Sequence, residues 1–264
     1  FVERSAEVFG DMLDVIHGAR RYTWREVRER SARLASALRS MGVGRGTTVS
    51  VMLANTPEMV EAHYAVPALN AVLHAINIRL DAALIAWQLQ HCESEVLITD
   101  REFSPTIRRA LQILRDEYHR ELLVIDVIDA QYMGEGERVG AIEYEELLLR
   151  HAPLATLDAP ADEWDAIAVS YTSGTTGDPK GVVTHHRGAY LNAVCNAVAW
   201  HMPHFARYLW TRPMFHCNGW CFPWTIAMLG GVHVCLRKVE VTAIFHAMRA
   251  YGADHYCGAP IVHS

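Results

Sequence analysis

Short apolar runs that do not alternate with polar residues recur along the chain, and each is followed by a segment of helical periodicity. Residues 49–53, 71–76, 95–99, 122–125 and 167–171 have the length and composition of strands. Strands covered on both faces read as continuous apolar runs, whereas half-solvated strands alternate. The intervening segments carry helix signals. Thr23 with Glu26 three residues on forms a capping box. Trp24, Val27, Leu34, Leu38 and Met41 then fall on one stripe with small Ser31 and Ala35, and Gly42 and Gly44 close the helix. Thr56-Pro57-Glu58 opens another helix with proline in its first turn, and helices are predicted over 81–91 and 104–118. A glycine-bearing surface loop follows at 131–140, then a short helix at 143–150 and an extended connection at 152–160. The alternation resumes with a helix from 187 to 200, strands at 208–211, 232–236 and 255–257, and helices near 220–229 and 241–251. This order predicts an α/β fold with parallel-rich sheets and helices on both faces. The pattern is still in progress at Ser264, so the expectation is a piece of a longer protein.

Composition narrows the functional classes. The 264 residues are 51% hydrophobic and 20% charged, enough apolar surface for one or two buried cores. A formal charge of −6 with scattered basic residues argues against a nucleic-acid partner. Arg101, Arg108, Arg109, Arg115 and Arg120 read as the solvated face of one helix. Six cysteines without a CxxC pair predict buried, reduced thiols, and together with the absence of a signal-peptide pattern predict a cytosolic setting. His216, Cys217 and Cys221 lie close together, but their spacing fits no zinc pattern. Residues 213–236 hold no Asp, Glu, Lys or Arg, yet Asn218, Pro223, Gly230 and Gly231 interrupt them. A buried helix followed by a buried strand accounts for this stretch better than a membrane span.

Residues 171–181 read Tyr-Thr-Ser-Gly-Thr-Thr-Gly-Asp-Pro-Lys-Gly, directly after the strand at 167–171. Glycines allow backbone N–H groups to turn toward an anion, hydroxyls add donors, and Lys180 brings a positive charge to a phosphate oxygen. The spacing is not that of the Walker A loop: Gly174 and Lys180 are six apart and Gly181 follows the lysine. By composition alone such a stretch is more often a plain turn than a phosphate site. Pro213-Met214-Phe215-His216-Cys217-Asn218-Gly219-Trp220 is a second unusual block, and by spacing alone its aromatic residues among glycines read first as ordinary core packing.

The string at 171–181 resembles the signature loop of the adenylate-forming superfamily, which comprises acyl-CoA synthetases, peptide-synthetase adenylation domains and firefly-type luciferases. The match is complete over these residues. The block at 213–220 and the segments Asn55-Thr56-Pro57-Glu58, Asn77-Ile78-Arg79-Leu80, His185-His186-Arg187-Gly188, Cys235-Leu236-Arg237-Lys238 and Gly258-Ala259-Pro260 are similar to further landmarks of that superfamily. Residues 208–224 and 255–264 look most like short- and medium-chain acyl-CoA ligases, a branch that includes 3-methylmercaptopropionyl-CoA ligases and plant acyl-activating enzymes.

The resemblance implies a two-step reaction. A carboxylate attacks the α-phosphorus of ATP to give an acyl adenylate and pyrophosphate, and CoA then takes the acyl group and releases AMP. It implies phosphate contacts from Ser173, Gly174, Thr175, Thr176, Gly177 and Lys180, with the Thr172 hydroxyl as a Mg²⁺ ligand. It also implies that His216 lies beside the acid carboxylate, that Trp220 gates the acyl tunnel, and that Gly258, Ala259 and Pro260 lie near the acyl and pantetheine channel. Lys180 and His216 are the candidates for a direct part in the chemistry. Residues 1–264 would be the first part of the large AMP-binding domain. The superfamily's Tyr-Gly-x-Thr-Glu and Thr-Gly-Asp motifs and its lid domain with a catalytic lysine do not occur in them. The piece alone is therefore expected to be inactive. A homodimer is plausible by the same resemblance. An adenylation domain that loads a carrier protein, or a non-catalytic relative that kept the fold, fits the same residues, although Arg237-Lys238 favours CoA.

Overall fold

The computed structural model describes residues 1–172 and 179–258. The chain opens with elements that the apolar pattern does not announce: helix α1 (Val2–Val8), then strands β1 (Leu13–His17) and β2 (Arg20–Thr23), paired antiparallel around Gly18. The capping box then forms as expected. The Thr23 hydroxyl accepts the Glu26 amide at 3.3 Å, and the Glu26 carboxylate accepts the Thr23 amide at 2.7 Å, opening α2 (Trp24–Ser40). Trp24, Val27, Leu34, Ala35 and Leu38 are all buried along its stripe.

There follow β3 (Thr48–Met52), α3 (Pro57–Ala65), β4 (Val72–Ala75) and α4 (Ala82–His91), whose first turn is capped by Asp81. Next come β5 (Ser94–Asp100), α5 (Ser104–Tyr118), β6 (Leu123–Val127), β7 (Ile142–Glu143) and α6 (Tyr144–Arg150). The second half holds β8 (Ala166–Tyr171), β9 (Gly181–His185), α7 (His186–Ala199) and β10 (Arg207–Leu209). It continues through the four-residue turn α8 (Cys217–Trp220), α9 (Phe222–Leu229), β11 (Val232–Val234), α10 (Val241–Tyr251) and β12 (His255–Tyr256).

Two sheets result. One has the strand order β7-β6-β5-β3-β4-β8-β9 and is parallel except for β9; the other has the order β12-β10-β11-β1-β2 and is parallel except for β2. Alternate residues of each strand enter different cores. Val49 and Val51 join Leu38, Met59, Phe222 and Trp210 in the main core between the sheets. Met52 and Leu97 pack with Ile85 and Ile107 of α4 and α5 on the outer face of the seven-stranded sheet. Leu209 and Val234 pack with Ile244 of α10 on the outer face of the other. Helices thus cover both faces of each sheet, which accounts for the continuous apolar strands.

Four sequence-based expectations change. Arg108, Arg109 and Arg115 are exposed, but Arg101 precedes α5 and donates to the Tyr132 carbonyl, and Arg120 lies beyond it, donating to the Leu89 and Ser94 carbonyls at 3.3 and 2.8 Å. These two arginines staple neighbouring elements rather than facing solvent. All six thiols are free, but only Cys221, Cys235 and Cys257 are buried; Cys195 and Cys217 are exposed. Residues 181–185, between the loop string at 171–181 and the helix expected from 187, form a strand that the sequence reading did not include. Arg237 is buried against Asp100 at the end of β5, Glu102 just after it and Asp129 after β6, so it joins the two sheets. A guanidinium so occupied gives no support to CoA over a carrier protein. The charge-free stretch does fold as expected, into the buried α9 and β11, and among the described residues no helix is long and apolar enough to cross a membrane.

Candidate functional site

Strand β8 carries the chain out of the parallel part of the seven-stranded sheet and returns as β9, with Tyr171 opposite Gly181. The Thr172 amide donates to the Lys180 carbonyl at 3.1 Å, which closes the base of this hairpin. The candidate phosphate-binding segment therefore joins the ends of an antiparallel pair. Ser173, Gly174, Thr175, Thr176 and Gly177 lie outside the described residues. Thr172 and the Lys180 side chain are exposed. β9 is the edge of its sheet, and Val182 and Val183 stay exposed on it.

The second block, 213–220, has an unusual backbone. Cys217, Asn218, Gly219, Trp220 and Cys221 all have φ between 49° and 63°, a left-handed run of five residues. Each non-glycine residue in that region costs about 1 kcal/mol or more, so the run persists only where its surroundings fix it. Gly219 is required at its place, because a Cβ there would sit 2.6 Å from the Trp210 ring. The Asn55 side chain clamps the approach to the turn. Its amide donates to the Trp210 and Arg212 carbonyls at 2.9 and 3.0 Å, and its oxygen accepts the Met214 amide at 2.8 Å. At the far end, the Asn196 side chain donates to the Trp220 carbonyl at 2.8 Å.

A relay of buried rings supports the turn from below. Trp210 Nε1–H donates to His233 Nδ1 at 3.0 Å, which leaves the neutral ring's proton on Nε2, 3.0 Å from Tyr64 Oη. Tyr64 passes its own O–H to the Pro223 carbonyl at 3.0 Å, at the start of α9. Burial, and then the neighbouring His63, lower the His233 pKa to about 3, so the relay carries no charge at neutral pH.

A cleft of about 680 Å³ lies between the hairpin and the turn. Thr172 and Pro179 line it from the hairpin, and His216 and Trp220 line it from the turn. Tyr171 lines it beside Thr172, and Asn77 and Leu84 line it as well. The Arg212 guanidinium lies 3.8 Å from the Trp220 ring centre, a cation–π stack that holds the indole at the rim. Partial burial first, and the positive Arg212 second, push the His216 pKa below the ordinary 6.5. A neutral imidazole in the cleft can donate to a carboxylate or accept from one that is protonated. Lys180 and Gly258 do not line this cleft. Gly258 follows Cys257, whose carbonyl accepts the Thr211 hydroxyl at 2.6 Å, so it approaches the same segment from β12. Ala259 and Pro260 lie outside the described residues.

Residues beyond the sequence-based set also shape the site. His185 caps α7 by accepting the Gly188 amide at 2.8 Å, and both residues line the cleft. Asn55 and Asn218 do their work through buried hydrogen bonds. The Asn218-Gly219 pair was the visible signal, since that pair favours positive φ. Among the described residues no group of three or more His, Cys, Asp or Glu side chains could hold a metal ion. The Thr172 hydroxyl does suit Mg²⁺ as a single hard oxygen, because that ion keeps few protein ligands and takes the rest from phosphates and water.

The two mostly parallel sheets with helices on both faces, and the cleft between the β8–β9 pair and the left-handed turn, define an α/β architecture. The chain belongs to the AMP-binding enzyme family, whose match covers residues 2–264. It is 44% identical over 269 residues to the peroxisomal acetate/butyrate–CoA ligase AAE7 of Arabidopsis thaliana, across 99% of this chain and 47% of that protein. The anthranilate CoA ligase AuaEII, solved with anthranoyl-AMP, superposes with a TM-score of 0.86 at 23% identity, over 99% of this chain and 49% of that one. O-succinylbenzoate CoA synthetase from Bacillus subtilis, solved with ATP and magnesium, gives 0.81 at 23% identity, over 99% and 49%. These likenesses show that the fold is that of the adenylate-forming enzymes. The chain spans about half the length of the curated relatives it matches.

Proposed function

We propose that residues 1–264 are the first part of the large AMP-binding domain of an ATP-dependent carboxylate–CoA ligase that acts on a short- or medium-chain acid. The observation that carries this reading is the shared cleft: the loop's two ends, Thr172 and Pro179, and the turn residues His216 and Trp220 line one space. An acid held by the turn can meet the phosphates of a nucleotide held by the loop.

In this reading the Lys180 ammonium and the loop amides stabilise the charge that builds on the leaving pyrophosphate. Thr172 offers its hydroxyl to the metal ion, and Mg²⁺ bound there would neutralise phosphate charge. His216, kept neutral, orients the acid carboxylate, and Trp220 closes over its alkyl chain. Support for CoA as acceptor, and for a small acid, comes from the acetate/butyrate–CoA ligase relative. Adenine and ribose recognition and the lid lysine would come from the remainder of the protein, so the 264 residues alone should not turn over. A cytosolic location and a homodimer belong to the same proposal, although that relative is named as peroxisomal.

The test is product analysis with the complete enzyme, butyrate, ATP, Mg²⁺ and CoA. AMP, pyrophosphate and butyryl-CoA are expected in equal amounts, and a panel of straight and branched acids then ranks the substrates. Formation of ADP and phosphate in place of AMP and pyrophosphate would overturn the proposal.

A further inference from the structure

We infer that Asn218 is a positioning residue that sets His216 and Trp220 for the acid, by holding the left-handed turn between them. The inference rests on the ligase reading for what the two side chains do, and on geometry alone for how they are held.

In the left-handed run from Cys217 to Cys221, Asn218 is the residue whose polar side chain is buried. Its Nδ2 lies 3.3 Å from His63 Nε2. The His63 ring donates from Nδ1 to the Met59 carbonyl at 2.7 Å, which leaves Nε2 as the acceptor for the asparagine amide. Burial lowers the His63 pKa to about 4, so this acceptor persists at neutral pH. His63 is itself fixed, because Trp224 Nε1–H donates to its carbonyl at 3.0 Å. On its other side, Asn218 Oδ1 stands 3.5 Å from Ser170 Oγ in β8, two residues before Thr172. One carboxamide therefore spans from α3 to the strand that leads into the phosphate loop.

Asparagine is also the side chain that best tolerates a left-handed backbone after glycine. The same residue thus supplies the backbone conformation and the tether. Elsewhere in the run Cys217 and Trp220 are exposed, and Cys221 is buried at its far end, so Asn218 is the buried polar anchor at its centre. Without the tether the run keeps its clamps at either end, from Asn55 and Asn196, but loses the anchor at its centre, and His216 and Trp220, on either side of that centre, lose their common orientation toward the cleft.

A merely structural residue would weaken the whole enzyme, whereas a positioning residue splits the kinetic constants. In acid-dependent ATP–pyrophosphate exchange by the complete enzyme, with butyrate as the probe, Asn218→Ala should raise the KM for butyrate about tenfold and leave the KM for ATP within about twofold. Asn218→Gly keeps the left-handed backbone without the tether and should fall between Ala and wild type. Hydrogen exchange of the amides of residues 217–221 should be faster in Asn218→Ala than in wild type, with α4 unchanged. Wild-type KM for butyrate in Asn218→Ala, or equal rises in both KM values, would overturn the inference. If the wild-type enzyme shows no acid-dependent exchange, the ligase reading fails, and unchanged turn amides in Asn218→Ala would then overturn the positioning role while faster ones would uphold it. If circular dichroism shows Asn218→Ala to be unfolded, Ser170→Ala decides in the same assays, with an expected rise of about threefold in the butyrate KM alone; no rise would overturn the inference.

Discussion

The two sides of the cleft are held in opposite ways. The turn side is built from buried polar groups: Asn55 clamps its entry, Asn218 tethers its centre, and the Trp210–His233–Tyr64 relay lies beneath it. The hairpin side stands on an edge strand with one neighbour, and Lys180, Val182 and Val183 are exposed along it. In the proposed ligase reading, the turn would be the fixed cradle for the acid and the hairpin side the strap for phosphate. Preorganisation counts most where a small carboxylate offers few handles, while a nucleotide tail brings charge enough to draw its own partners.

Substitutions should separate the two sides by their cost in stability. The largest effect is expected at Asn55: Asn55→Ala leaves two carbonyls and an amide unpartnered inside the protein, and chemical denaturation should show a loss of about 3 kcal/mol. Gly219→Ala combines a positive φ with a Cβ against the Trp210 ring, and should cost about 2 kcal/mol by the same measurement. An effect under half of that at either position would mean that the turn side is not the rigid one.

The folded His233 stays neutral down to about pH 3, whereas the unfolded chain takes up a proton near pH 6.5. Its contribution is fully present above 6.5 and is lost as the pH falls from there toward 3. The slope is about 1.4 kcal/mol per pH unit for this one residue. Denaturation of His233→Gln against wild type between pH 6.5 and 4 should show a shallower loss by that amount. An identical slope would remove the relay from the account. The smallest effect belongs to the hairpin side: Val183→Thr on the exposed face of β9 should change stability by no more than about 0.5 kcal/mol.

Much of this architecture is legible in the residues themselves. Local signals carried it where the determinant was local: the Thr23–Glu26 box fixed the start of α2, Asp81 capped α4, and α5 runs over the predicted 104–118. Elements whose stability comes from elsewhere were not legible. β2 is Arg-Arg-Tyr-Thr, too polar to announce a strand, and β1 buries Asp14 and His17 among its apolar residues. Gly18 at positive φ was the one local mark of that hairpin. The role of Arg237 was hidden because its carboxylate partners Asp100 and Asp129 lie 137 and 108 positions away. For the site, residue types were visible, and the cleft does bring Thr172, His216 and Trp220 together. The supports of Trp220 and His216 were not, because Asn55, His63 and Asn196 act through contacts that only the folded chain makes.

The division between strap and cradle is tested most directly by a crossover in acid-dependent ATP–pyrophosphate exchange with the complete enzyme. Lys180→Ala should lower kcat by about a hundredfold and keep the KM for butyrate, as expected for a charge that serves the leaving phosphates. Trp220→Ala should raise the KM for butyrate and keep the KM for ATP. Loss of the same constant, to the same extent, in both variants would contradict the account.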